Sequence, residues 1–164
     1  MGSGFSYECK KCKKEYSVRL GIGMLFPRVY QKILSDIKTG FYGDELKNLV
    51  NSQQYVAVNA SKRVYICRHC GNWNLEYAMD LYTPVNIEEI SKQKYGAKTV
   101  DEWGYIPYVI PYSLKEDYKL LKRFIHKCPV CDKRTHMASE KELKELSCPH
   151  CKAKNSKAEY IDWD

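Results

Sequence analysis

The chain has 164 residues, a formal charge of +7, 44% hydrophobic and 13% aromatic side chains, and no low-complexity tract, a composition that excludes long disordered and fibrous classes. That length admits one ordinary domain or two small ones and buries about two thirds of the unfolded surface. No apolar run reaches the roughly 18 residues of a membrane span, and Met1-Gly2-Ser3-Gly4-Phe5 has neither the basic start nor the apolar stretch of a signal peptide, so the expected setting is the cytoplasm with no membrane partner.

In chain order, aromatic and β-branched residues predict strands at Phe5–Glu8 and Glu15–Leu20, flanking the turn Cys9-Lys10-Lys11-Cys12. Pro27 opens a helix in which Tyr30, Ile33, Leu34 and Ile37 recur at i, i+3, i+4 and i+7, and Gly40 ends it. Asp44 is expected to cap a second helix with Leu46, Leu49 and Val50 on one face, so that residues 26–53 form a helical hairpin planted on the first cysteine module. Strands follow at Tyr55–Asn59, Arg63–Ile66 and Trp73–Tyr82, around Cys67-Arg68-His69-Cys70. Ile87–Tyr95 reads as a weak helix. Ser113-x-x-Glu116 reads as the start of a stronger one, with Leu114, Tyr118, Leu121 and Ile125 on one face. Between these helices, Pro107 and Pro111 limit Trp103–Tyr112 to an edge strand or an extended crossing that covers a small core. Ser139-x-x-Glu142 caps a helix from Glu140 to Leu146, and residues 158–163 read as a strand closing the last module. The fold class expected is α+β, with two small β modules built on cysteine turns and carrying helical insertions: residues 1–86, bridging helices and a Tyr/Pro segment over 87–127, and residues 128–164.

Eight cysteines fall into four Cys-x-x-Cys pairs: Cys9/Cys12, Cys67/Cys70, Cys128/Cys131 and Cys148/Cys151. Four thiolates complete one tetrahedral site, so eight are the ligand set of two closed sites, and a closed site holds a chain together without an open position for chemistry. Four disulfides are the competing use, disfavoured in a reducing compartment, and a redox Cys-x-x-Cys would explain only one pair. Sixteen residues separate Cys131 from Cys148, within the spacing of a Cys₄ site, so Cys128/Cys131 is expected to join Cys148/Cys151 and, by elimination, Cys9/Cys12 to join Cys67/Cys70. A nested or cross-braced pairing stays open, because closure entropy grows only with the logarithm of loop length. After the second cysteine of each turn a positive φ is favoured, yet only Gly71 supplies glycine there. Lys13, Asp132 and Lys152 fill the other places and imply either mild strain or a different turn.

These paired turns, above all Cys128-Pro-Val-Cys131 with Cys148-Pro-His-Cys151, resemble the zinc ribbons, a rubredoxin-like class found in transcription, ribosomal and chaperone proteins and as appendages of enzymes. The opening Cys-x-x-Cys, Gly21-Ile-Gly-Met-Leu-Phe-Pro27, helical hairpin and second Cys-x-x-Cys-Gly are also similar to bacterial zinc-ribbon proteins of unassigned role. The resemblance implies eight ligands and two Zn²⁺ per chain, with iron as in rubredoxin the alternative, and no activity.

Loading two divalent ions on eight thiolates lowers the charge from +7 to +3, which weakens the case for a nucleic-acid partner. If there is such a partner, Lys10, Lys11, Lys13, Lys14, Arg19, Arg63 and Arg68 would contact phosphate, with Tyr7 and Tyr16 stacking. The alternative reading of the lysines is a solvated turn offsetting the anionic metal centre. His69, His126, His136 and His150 are read as surface or supporting residues, since the cysteines already satisfy both ions. No Gly-x-x-x-x-Gly-Lys or His-Glu-x-x-His occurs and no cysteine is left as a nucleophile, so the expectation is a non-catalytic binding module for another protein.

Overall fold

The structure, a computed structural model, describes residues 2–154 and 156–163. Among these the elements run β1 (Gly2–Cys9), β2 (Glu15–Gly21), α1 (Phe26–Thr39), α2 (Asp44–Ser52), β3 (Ala57–Val58), β4 (Lys62–Ile66), β5 (Trp73–Tyr77), β6 (Leu81–Pro84), α3 (Ile87–Lys92), β7 (Lys94–Tyr95), β8 (Lys98–Thr99), α4 (Val100–Trp103), α5 (Ser113–Glu116), β9 (Tyr118–Lys122), β10 (His136–Met137), α6 (Glu140–Lys144) and β11 (Ser156–Trp163). The α+β class follows. Two compact units are present, and neither is contiguous: the first comprises Met1–Met24, Ser61–Tyr77 and Ile125–Asp164, the second Leu25–Ala60 and Ala78–Phe124. These units do not coincide with the expected divisions at 86/87 and 127/128. All eight cysteines belong to the first unit, and the helical hairpin belongs to the second.

The first unit is built on a sheet of order β10-β4-β2-β1-β11, with β5 also on β4. β1 is interior to the sheet: it pairs antiparallel with β2 from Gly2↔Gly21 to Glu8↔Glu15 and with β11 along its whole length. Residues 158–163 thus form the strand expected, but they close the N-terminal hairpin rather than a C-terminal module. Gly4 makes this packing possible, since a Cβ there would lie 2.1 Å from the Val18 carbonyl oxygen. Alternation along β1 and β2 puts Phe5, Tyr7, Val18 and Leu20 on one face, where they form a single core cluster with Val64 and Leu146. The Ser139 capping box forms as expected and starts α6. Three aromatic side chains of the sheet then satisfy carbonyls that α6 and its exit leave open: Tyr7 Oη donates to Leu143 O (2.6 Å), Tyr16 Oη to Leu146 O (3.1 Å) and Trp73 Nε1 to Ser147 O (2.8 Å).

The second unit sets α1 and α2 with the three-stranded sheet β3-β6-β9. Phe26, Tyr30, Ile33, Leu34 and Ile37 form the buried face of α1, and Gly40, at φ 91°, ends it with the Phe41 N–H on Asp36 O (2.9 Å) and its own N–H on Ile37 O (3.0 Å). Asp44 is not the cap of α2. Gly43 holds that place, and Asp44 and Glu45 lie in the first turn, where their charge meets the positive end of the helix. The expected strand Trp73–Tyr82 is broken between β5 and β6, with Met79 at φ 64° and its N–H on Asn59 O (2.9 Å). The long helix expected after Ser113 is limited to α5, because Tyr118–Lys122 pairs with β6 as β9. Ile106, Pro107 and Val109 are buried, and the Tyr/Pro stretch covers this core unpaired.

Candidate metal centres

Each Cys-x-x-Cys segment is a turn of the same construction. The N–H four residues after the first cysteine donates to that cysteine's carbonyl, as in Lys13→Cys9 (2.8 Å), Gly71→Cys67 (2.9 Å), Asp132→Cys128 (2.8 Å) and Lys152→Cys148 (2.9 Å). The first cysteine's own N–H closes the turn on the carbonyl of Lys14, Asn72, Lys133 or Ala153 at 2.8 to 3.0 Å. That closure requires a left-handed residue after the second cysteine. Lys13, Gly71, Asp132 and Lys152 have φ of 59°, 70°, 57° and 61°. Three non-glycine residues therefore carry the strain that the sequence implied, on the order of 1 kcal/mol each.

The turns come together in nested order. Cys9 and Cys12 meet Cys148 and Cys151 (site I), and Cys67 and Cys70 meet Cys128 and Cys131 (site II), with the four sulfurs of each group within 4.8 Å of one another. This corrects the expected pairing of Cys9/Cys12 with Cys67/Cys70 and of Cys128/Cys131 with Cys148/Cys151. The cause is the sheet: β11 leaves the Cys148 turn and pairs with β1, which enters the Cys9 turn, while β10 follows the Cys128 turn and pairs with β4, which enters the Cys67 turn.

Sulfur spacing tests whether a metal fits. In site I, Cys9–Cys151 is 3.5 Å and Cys12–Cys148 is 3.7 Å. In site II, Cys67–Cys131 and Cys70–Cys128 are 3.5 Å, and Cys70–Cys131 is 3.7 Å. A tetrahedron of sulfurs about 2.3 Å from a central ion has edges of about 3.8 Å, whereas a disulfide is about 2.05 Å. Both groups have the dimensions of a tetrathiolate site, and both can hold a metal ion. The first cysteine of every turn is buried and the second is more accessible, Cys70 being exposed.

Backbone N–H groups inside the turns favour thiolate. The N–H of Cys12, with that of Lys11 behind it, lowers the Cys9 thiol to about 6, and those of Cys70 and His69 do the same for Cys67. At Cys131, the Lys133 N–H pulls down but burial and the neighbouring sulfurs push up, and the thiol is raised to about 12. Four sulfurs so close cannot all ionise without a cation among them. A metal ion held there would supply that charge, and its binding energy would then count as folding energy.

The other expected site residues fall around these turns. Lys10, Lys11, Lys13 and Lys14 are exposed on the first turn of site I, and Arg68 is exposed on site II. Arg19 stands over the Trp163 ring at 5.8 Å, and Arg63 faces Glu76 across β4 and β5. Tyr7 is buried and stacked on the half-buried Tyr16 at 4.7 Å, so the Tyr7 ring is unavailable to stack on a base, a second correction. His69 and His150 are exposed. His126, expected as an ordinary surface or supporting residue, is buried against Tyr65 with Nδ1 2.7 Å from Glu76, and His136 Nε2 lies 2.8 Å from Glu142. The roles of Gly4 and of Trp163, whose indole donates to Ser3 O and Leu20 O (both 3.1 Å), carried no sequence signal beyond their residue types. Comparison with protein-family models, curated proteins and solved structures finds no match.

Proposed function

We propose that both centres hold Zn²⁺ as structural ions, two per chain, and that the protein is a non-catalytic cytoplasmic binding module whose partner is another protein. The observation carrying this reading is that all eight sulfurs are used in two four-membered groups, leaving neither an open coordination position nor a spare nucleophile. Rubredoxin-like geometry would equally accept iron, and colour separates the two: a zinc protein is colourless and a ferric tetrathiolate is red. Elemental analysis of purified protein is expected to give two zinc ions per chain. One ion, or iron, would overturn the assignment.

A second reading, nucleic-acid binding, is favoured by one observation. The first unit's sequence carries sixteen Lys/Arg against ten Asp/Glu, +6 of the whole chain's +7, and the lysines of the first turn are exposed. Against it, two loaded sites reduce that +6 to +2, and Tyr7 is buried with the Tyr16 ring packed on it. Gel shifts with single- and double-stranded DNA and RNA at two salt concentrations decide between the readings. No shift at low salt supports a protein partner, and a shift that weakens steeply with salt supports nucleic acid.

A further inference from the structure

The second unit contains no cysteine, yet it holds a cleft of about 320 Å³ with an unusual lining. Tyr95, Tyr108 and Tyr118 converge there with Ser113 and Asp117. The Tyr95 and Tyr108 rings stand 4.9 Å apart at 81°, forming two walls of a corner. Tyr118 is 94% buried, and its hydroxyl has no hydrogen-bond partner among the described residues. An orphaned buried hydroxyl is destabilising, so one carried by a residue that lines a cleft points to a group that enters and pairs with it.

The lining also says what kind of group. Phenol oxygens, a serine hydroxyl and a carboxylate make the wall electronegative, and aromatic faces attract cations. Burial first, then Tyr95 and Asp117, push the Tyr118 phenol well above its ordinary range, so it stays neutral and offers an oxygen lone pair to a donor. Lys94, the one cation of the lining, has its charge balanced in part by Glu102, whose carboxyl is held low by the Thr99 N–H and hydroxyl and then by Lys98 and Lys94. The volume suits a small molecule or a single side chain.

We infer that this cleft binds an organic ammonium group, its N–H donated to Tyr118 Oη, its charge facing Asp117 and its alkyl part against Tyr95 and Tyr108. The proposal is independent of the metal centres.

The test is an amide NMR titration of the full-length, metal-loaded protein with propylammonium, tetramethylammonium and propionate. Propylammonium is expected to shift the amides of Tyr95, Ser113 and Asp117 saturably. Tetramethylammonium, which has no N–H, should bind at least about threefold more weakly, the loss expected of one hydrogen bond. Asp117→Asn should weaken propylammonium about tenfold or more, and Tyr118→Phe about threefold to tenfold, without loss of the folded spectrum. Absence of saturable shifts, preference for propionate, equal binding of tetramethylammonium, or unaltered affinity in Tyr118→Phe would each overturn the assignment.

Discussion

Replacing one ligand of site I, as in Cys148→Ser, should unfold the first unit and leave the second standing. The first unit is made of three separated segments, and each site is a staple between two of them: site I joins the first to the third, site II the second to the third. Between Cys12 and Cys148 lie 135 residues and between Cys70 and Cys128 lie 57, so as cross-links the sites restrict the unfolded chain by about 5 and about 4 kcal/mol. Total ion binding, about 10–16 kcal/mol per structural site, exceeds the about 5–15 kcal/mol by which a typical domain is stable. Beyond the cysteines the first unit's central cluster has six buried residues, too few to absorb such a loss, whereas the second unit closes over α1, α2 and its own sheet with no ligand in it. The three tryptophans report on the units separately. Trp73 and Trp163 belong to the first and donate to Ser147, Ser3 and Leu20 carbonyls, while Trp103 belongs to the second and donates to Tyr95 O at 3.3 Å. In a ¹H–¹⁵N spectrum of Cys148→Ser, or of the natural chain after a strong chelator, the Trp73 and Trp163 indole signals should collapse to unfolded positions while Trp103 keeps its own. Collapse of all three together, or persistence of Trp73 and Trp163 once elemental analysis has verified metal loss, would refute the reasoning.

The strained turns give a graded series: Gly71→Ala should lower stability by about 1 kcal/mol, whereas Asp132→Gly, which relieves φ 57°, should be neutral to about 1 kcal/mol stabilising, both read from thermal melting of the first unit. Gly4→Ala places a methyl 2.1 Å from the Val18 carbonyl oxygen and should force β1 from β2, so competition with a chelator should show one weakened site, site I, beside an unaltered site II. Exposure of Cys70 should make site II the first to release metal, and alkylation mapping during release should label Cys67, Cys70, Cys128 and Cys131 ahead of the other four; simultaneous labelling would contradict it.

Local signals were legible wherever one stretch of chain decides its own structure. The i, i+3, i+4 face of α1, the Schellman end at Gly40 and the capping box at Ser139 all act within a few residues. So does the left-handed residue after each second cysteine, which the turn's own hydrogen bonds impose even on Lys13, Asp132 and Lys152. Tertiary pairing erased other signals. Tyr118, Leu121 and Ile125 have helical spacing after Ser113, but Tyr118–Lys122 gains a ladder with β6 that an isolated helix cannot match. Tyr7 and Tyr16 looked like free stacking surfaces because nothing near them in sequence shows that the carbonyls of Leu143 and Leu146 would claim their hydroxyls.

The pairing of the four turns is the instructive case. Consecutive pairing closes loops of 54 and 16 residues. Nested pairing closes an inner loop of 57 and then an outer one of 70, counting 54 and 16 in series through the inner site. On logarithmic closure costs the consecutive arrangement is favoured by only about 1.4 kcal/mol, because the four turns are chemically equivalent and length enters weakly. Against that small preference stand the whole-length ladder of β1 with β11, the seating of Trp163 over Gly2 and Gly23, and three part-buried side-chain hydrogen bonds onto the segment from Leu143 to Ser147. Each such hydrogen bond contributes about 0.5–1.5 kcal/mol, so any two of them match the entropic difference and the strand ladder decides it. Ligand identity in this chain is thus a local property readable from Cys-x-x-Cys alone, while ligand partnership is set by which strand ends up beside β1.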